Sequence, residues 1–117
     1  MTAEKTDTDV FAAYISVWNE RESHARRTIG AEVFTPDACY VDPNTSSQGR
    51  DAIDIYIAAW QARFPNFAFI LGTVRCHHEV AHFRWSFGPP GGPSAATGED
   101  VVVIEQGRLS RIYGFFD

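Results

Sequence analysis

The chain has 117 residues, 44% of them hydrophobic and 21% charged, with a formal net charge of −5. That length suits one domain able to bury a core without staples, and no apolar run is long enough to span a bilayer as a helix. The acidic balance, with no Lys/Arg cluster beyond Arg26-Arg27, argues against nucleic acid or an anionic membrane as partner.

The first eight residues read as a flexible polar tail, leaving a single domain over 9–117. Their acidic, polar character does not fit a secretory signal. Asp9 can cap a helix over 9–21, in which Val10, Tyr14, Val17 and Trp18 recur on one face. Ser23 can cap a second helix over 24–34, stopped by Pro36. A short strand over 38–42 places Tyr40 and Asp42 on one face. Pro43 breaks it, and a polar loop leads to a third helix over 50–64, with Ile53, Ile57, Trp60 and Phe64 as its stripe.

Four strands follow, over 67–76, 79–88, 98–106 and 109–116. His77-His78-Glu79 forms the first turn, the Pro/Gly run 88–93 the second loop, and Gln106-Gly107 a tight hairpin turn. Three helices ahead of an antiparallel meander imply an α+β domain, with helices on one face of a strongly curved sheet and a cone-shaped pocket between the layers. Gly72 and Gly114 are the positions expected to permit the bending. Cys39 and Cys76 fall in predicted strands and are expected as small buried hydrophobes in a reducing cytoplasm.

Three side chains could carry chemistry. Asp42 ends an apolar strand, where desolvation raises a carboxyl's pKa toward useful values; the plainer reading is a cap on the turn before Pro43. Asp100 shares strand parity with Val102 and Ile104, and an inward Asp is costly unless paired, protonated or used. Tyr14 lies on the apolar face of the first helix, so its hydroxyl needs a buried partner or a pocket. Among His77, His78 and His82, only His78 and His82 share parity, and no metal site is assigned. No nucleophile elbow and no phosphate loop is present in the sequence.

Tyr14-Ile-Ser-Val-Trp-Asn19, Phe34-Thr-Pro-Asp-Ala-Cys-Tyr-Val-Asp-Pro43, Gly49-Arg-Asp-Ala-Ile53 and Ile112-Tyr-Gly-Phe-Phe-Asp117 together resemble SnoaL-like members of the NTF2-like superfamily. The placing of Tyr14, Asn19, Asp42-Pro43 and Asp100 is also similar to that in ketosteroid isomerases. The resemblance implies a small enzyme without cofactor or metal, an isomerase or polyketide cyclase. On that reading Asp42 takes a proton from carbon beside a carbonyl, while Tyr14 and a neutral Asp100 hold the enolate oxygen.

Trp18, Tyr40, Ile53, Trp60, Phe64, Phe83, Trp85, Val102, Ile112 and Phe116 are expected to line the substrate pocket. The partner would be a small apolar steroid, polyketide or terpenoid-like molecule. A homodimer would form through an outer sheet face bearing His82, Arg84 and Val101 or Val103. The same fold also hosts non-catalytic ligand-binding or dimerisation modules and hydrolases that activate water, and both stand as alternatives.

Overall fold

The computed structural model describes the backbone of residues 2–117 and the side chains from Val10 onward. Helix α1, Thr2–Asn19, starts ahead of the cap expected at Asp9. The Asp9 side chain, and those of the residues assigned to a tail, lie outside the described ones. From Val10 the helix buries one face, with Tyr14, Val17 and Trp18 inward as the spacing requires. Asn19 ends it and fastens it to the sheet: its Nδ2 donates to the Phe69 carbonyl at 2.9 Å and its Oδ1 accepts from the Phe69 amide at 2.8 Å.

Helix α2, Ser23–Val33, is capped by Glu22 rather than by Ser23. The Glu22 carboxylate accepts from the amides of His24 and Ala25 at 3.1 and 2.8 Å, satisfying two orphan donors of the first turn. Helix α3, Arg50–Arg63, carries the third layer of contacts. Arg50 donates to the carbonyls of Ala31 and Phe34 and so closes the C-terminal end of α2. The buried Arg26 guanidinium pairs with Asp54 at 2.6 Å and donates to Gln61 Oε1 at 2.9 Å; Gln61 Nε2 in turn donates to the Trp18 carbonyl. One charged network thus holds α1, α2 and α3 in fixed relation beneath the sheet.

The strands are β1 Phe34–Asp42, β2 Thr45–Gln48, β3 Ala68–His77, β4 Val80–Gly88, β5 Ala96–Glu105 and β6 Arg108–Phe116. They form one sheet in the order β2-β1-β6-β5-β4-β3, antiparallel except where β1 runs parallel to β6. This is the expected α+β arrangement, with two local differences. β1 begins directly after α2, earlier than the expected 38, because the register shifts between Phe34 and Cys39 and leaves Pro36 where no ladder bond is asked of it. The polar segment read as a loop supplies β2, whose residues pair with β1 from Thr45 to Gln48. Thr-Ser-Ser-Gln contains no apolar residue, so there was no period to detect.

Gln106 and Gly107 have φ of 53° and 79°, the left-handed pair that a two-residue hairpin needs, and they join β5 to β6 as expected. Phe83, Trp85 and Phe87 all point inward from β4. Neither cysteine is part of the core: Cys39 is half-buried on the outward parity of β1, and Cys76, opposite buried Ala81, is exposed near the end of β3. On the outer sheet face Val101 and Phe115 are exposed, His82 lies 2.7 Å from Glu99, and Arg84 pairs with Asp117. Among the described residues, no helix is long and apolar enough to cross a membrane.

Candidate active site

Asp42 ends β1 with its side chain on the helix-covered face, and it is 7% exposed. Its Oδ1 accepts from the Asn44 amide at 2.8 Å, which is the turn cap that Asp-Pro sequences favour. The same carboxylate accepts from the Tyr40 hydroxyl at 2.7 Å and from the Tyr56 hydroxyl at 2.8 and 3.0 Å. The two readings of Asp42 are therefore compatible: one oxygen ties down the turn while both meet phenols inside the protein. Burial pushes the Tyr56 hydroxyl pKa up to about 12 and holds that of Tyr40 well above its ordinary value, so both phenols stay protonated donors.

Asp100 sits in the middle of β5, because that strand starts at Ala96 rather than at 98. Its inward parity makes it 4% exposed. Tyr14 donates to Oδ2 at 3.1 Å and the Trp85 indole N–H donates to Oδ1 at 3.1 Å. Burial is the largest influence on this carboxyl and lifts its pKa to about 6; the Trp85 and Tyr14 hydrogen bonds pull the other way, and the charge of Asp42 adds to the rise. Burial, then the Asp100 charge, keep Tyr14 well above the ordinary phenol value.

Gly114 of β6 lies between the two carboxyls. It pairs with Asp100 across the β5–β6 ladder, and on its other side β6 runs beside β1. A Cβ there would stand 3.1 Å from Asp100 Oδ1, 3.3 Å from Asp42 Cβ and 3.4 Å from the Tyr40 hydroxyl. The glycine expected to bend the sheet thus also keeps open the space that both carboxyls face.

That space is a cavity of about 370 Å³, in the range of small-molecule sites. Tyr14, Asp42 and Asp100 all line it, together with Trp18, Tyr40, Trp60, Phe64, Trp85 and Phe116 of the expected set. Ile53, Phe83, Val102 and Ile112 do not. They are at most 1% exposed and belong to the packed core between the helices and the sheet; Phe83, for example, sits 5.7 Å ring to ring from both Phe11 and Tyr14. Sharing the pocket's sheet face did not suffice, because α1 and α3 cover that part of the sheet. Trp60 and Phe64 border the cavity without filling it.

Tyr56 escaped the sequence reading as a site residue because it lies beside, not on, the apolar stripe of α3, where nothing marks a phenol as a carboxylate partner. Phe67, Phe69 and Thr97 also line the cavity. Arg21 places the first of these by donating to the carbonyls of Gln61, Phe64 and Phe67 at 2.8, 3.0 and 2.6 Å, fixing the chain where α3 turns toward β3. An arginine gripping the last carbonyls of a helix two elements away leaves no local signal. Asn19, part of the resemblance, bonds the Phe69 backbone and is not part of the cavity lining.

Residues 11–112 match the model of the SnoaL-like domain. The chain belongs to the SnoaL-like domain family. A solved structure from Agrobacterium tumefaciens, provisionally assigned as an isomerase of the SnoaL-like family, is 30% identical with a TM-score of 0.89, over 97% of this chain and 98% of that one. A protein of Sinorhizobium meliloti provisionally assigned as a polyketide cyclase has 20% identity and a TM-score of 0.73, over 91% and 93% of the two chains. One of Kribbella flavida provisionally assigned as a ketosteroid isomerase has 15% identity and a TM-score of 0.73, over 97% and 78%. These last two share the fold with this SnoaL-like domain. Comparison with curated protein sequences gave no match.

Proposed function

We propose that this SnoaL-like domain is a small enzyme, working without a cofactor, that moves a proton on an apolar carbonyl compound as an isomerase or cyclase does. The observation that carries this reading is Asp100: a buried carboxyl with a pKa near 6, facing an aromatic cavity that a second carboxyl and a phenol also line. Its geometry favours exchanging the two roles that the resemblance implied. Both oxygens of Asp42 are engaged by Tyr40, Tyr56 and the Asn44 amide, whereas each oxygen of Asp100 receives one bond and keeps lone pairs free. Asp100 takes the proton from the carbon beside the carbonyl; the C–H electron pair becomes a C=C bond and the C=O π pair moves to the oxygen. Once protonated, Asp100 no longer needs the Tyr14 hydroxyl, which turns to the enolate oxygen. Return of the proton to a different carbon completes an isomerisation.

The test is deuterium uptake from heavy water at the acidic C–H of an apolar ketone, followed across pH. Exchange should rise through a midpoint near 6 and level off above it. A rate without inflection between pH 5 and 7 rules out Asp100 as the base.

Tyr14→Phe should lower the plateau about a hundredfold, since one donor to developing charge is lost. It should also move the midpoint upward, because the Tyr14 hydrogen bond favours the ionised form of Asp100. A purely structural Tyr14 would move the midpoint but leave the plateau unchanged.

A further inference from the structure

The cavity combines two features that no single part of the acid–base reading requires. Its walls are indole and phenyl rings from α1, α3, β3 and β4, and among the described residues its carboxyls without a cationic partner are Asp42 and Asp100. Every donor to those two is neutral: three phenols, an indole and a backbone amide. Asp117 also borders the cavity, but Arg84 pairs with it. No Lys, Arg or His among the described residues lines the space. A buried carboxylate pair with no counter-charge is costly, and a ligand can supply what the protein omits. The rings add a second attraction of the same sign, since their faces attract cations. Two of them show this already: the Arg63 guanidinium, which does not line the cavity, lies 5.7 and 5.2 Å from the ring centres of Trp60 and Phe64.

We propose that the cavity selects an organic ammonium ion, protonated or quaternary, seated against the indoles of Trp18, Trp60 and Trp85 with its charge toward Asp42 and Asp100. This is a statement about binding and stands whether or not the protein transfers protons. The acidic net charge of the chain acts in the same direction at longer range.

The probes are trimethylphenylammonium and its uncharged isostere tert-butylbenzene, which have the same shape and differ in charge. Titration at neutral pH, read by tryptophan fluorescence and calorimetry, should give at least tenfold tighter binding of the cation. Asp42→Asn and Asp100→Asn should each erode that preference, whereas Asp51→Asn, on the exposed start of α3, should keep it. Equal affinities, no binding of either probe, or a cation preference that survives in the Asp42→Asn/Asp100→Asn double variant overturns the proposal. If the double variant does not fold, the wild-type comparison of the two probes decides alone. The deuterium-exchange test uses neither probe, so failure of one proposal is distinguishable from failure of the other.

Discussion

Asp100→Asn should stop deuterium exchange, with a loss of about a thousandfold, and should make the protein more stable at pH 8. The two effects have one cause. In the folded protein the Asp100 carboxyl has a pKa of about 6, above the ordinary 3.8, because burial disfavours its charge. Between those values the folded state holds the proton that the unfolded chain has already released, so stability falls as pH rises through this window and is flat above it. A shift of that size corresponds to about 3 kcal/mol. Asparagine keeps the shape, accepts from Trp85 through its carbonyl oxygen and carries no charge. Urea unfolding should therefore show a gain of roughly 1–3 kcal/mol at pH 8 that shrinks as pH falls through this window and disappears below about pH 3, where the wild-type carboxyl is protonated in both states. An equal gain at both pH values would mean that packing, not charge, separates the variant from the wild type.

Gly98→Ala should be the most damaging single methyl added to the sheet. Gly98 faces Trp85 across the β4–β5 ladder, and the indole lies over the glycine. A Cβ there would come 2.8 Å from Trp85 Cε2 and closer still to Cζ2 and to the Phe115 carbonyl of β6. The carbonyl belongs to a paired strand and cannot retreat, so the ring must leave. The expected cost is about 3 kcal/mol, at the upper end of overpacking. Because the displaced indole also stops donating to Asp100, the pH midpoint of exchange should rise in any fraction that remains folded. Chemical denaturation and the pH profile check the two parts separately; a fall in stability below 1 kcal/mol would show that the ring has room to shift.

Helix faces, the β3–β6 meander and the hairpin at Gln106-Gly107 were legible in the sequence because periodicity and turn chemistry are local. Strand parity and the resemblance to a known family also singled out Tyr14, Asp42 and Asp100 as candidates, and all three line one cavity. What remained hidden is what depends on neighbours far along the chain. β2 has no apolar period and exists because β1 offers it an edge. Ile53 and Phe83 share the pocket's side of the molecule with Trp60 and Trp85, and only the path of the covering helices decides which pair meets the ligand. The role of Gly98 is invisible without Trp85 lying over it.

The parallel joint between β1 and β6 has a consequence for how the site comes into being. Asp42 reaches Asp100 only across β6, the last strand of the sheet to be made, and the Tyr14–Asp100 hydrogen bond closes a separation of 86 residues. Both are contacts of high sequence separation, whose loop-closure entropy must be met before they contribute. The helices and the β3–β4 hairpin can form from local contacts, but the carboxyl pair cannot assemble until the two ends of the sheet have met. The carboxyl pair is thus expected late in folding, and a chain that has only partly folded would have the walls of the cavity without its charges in place.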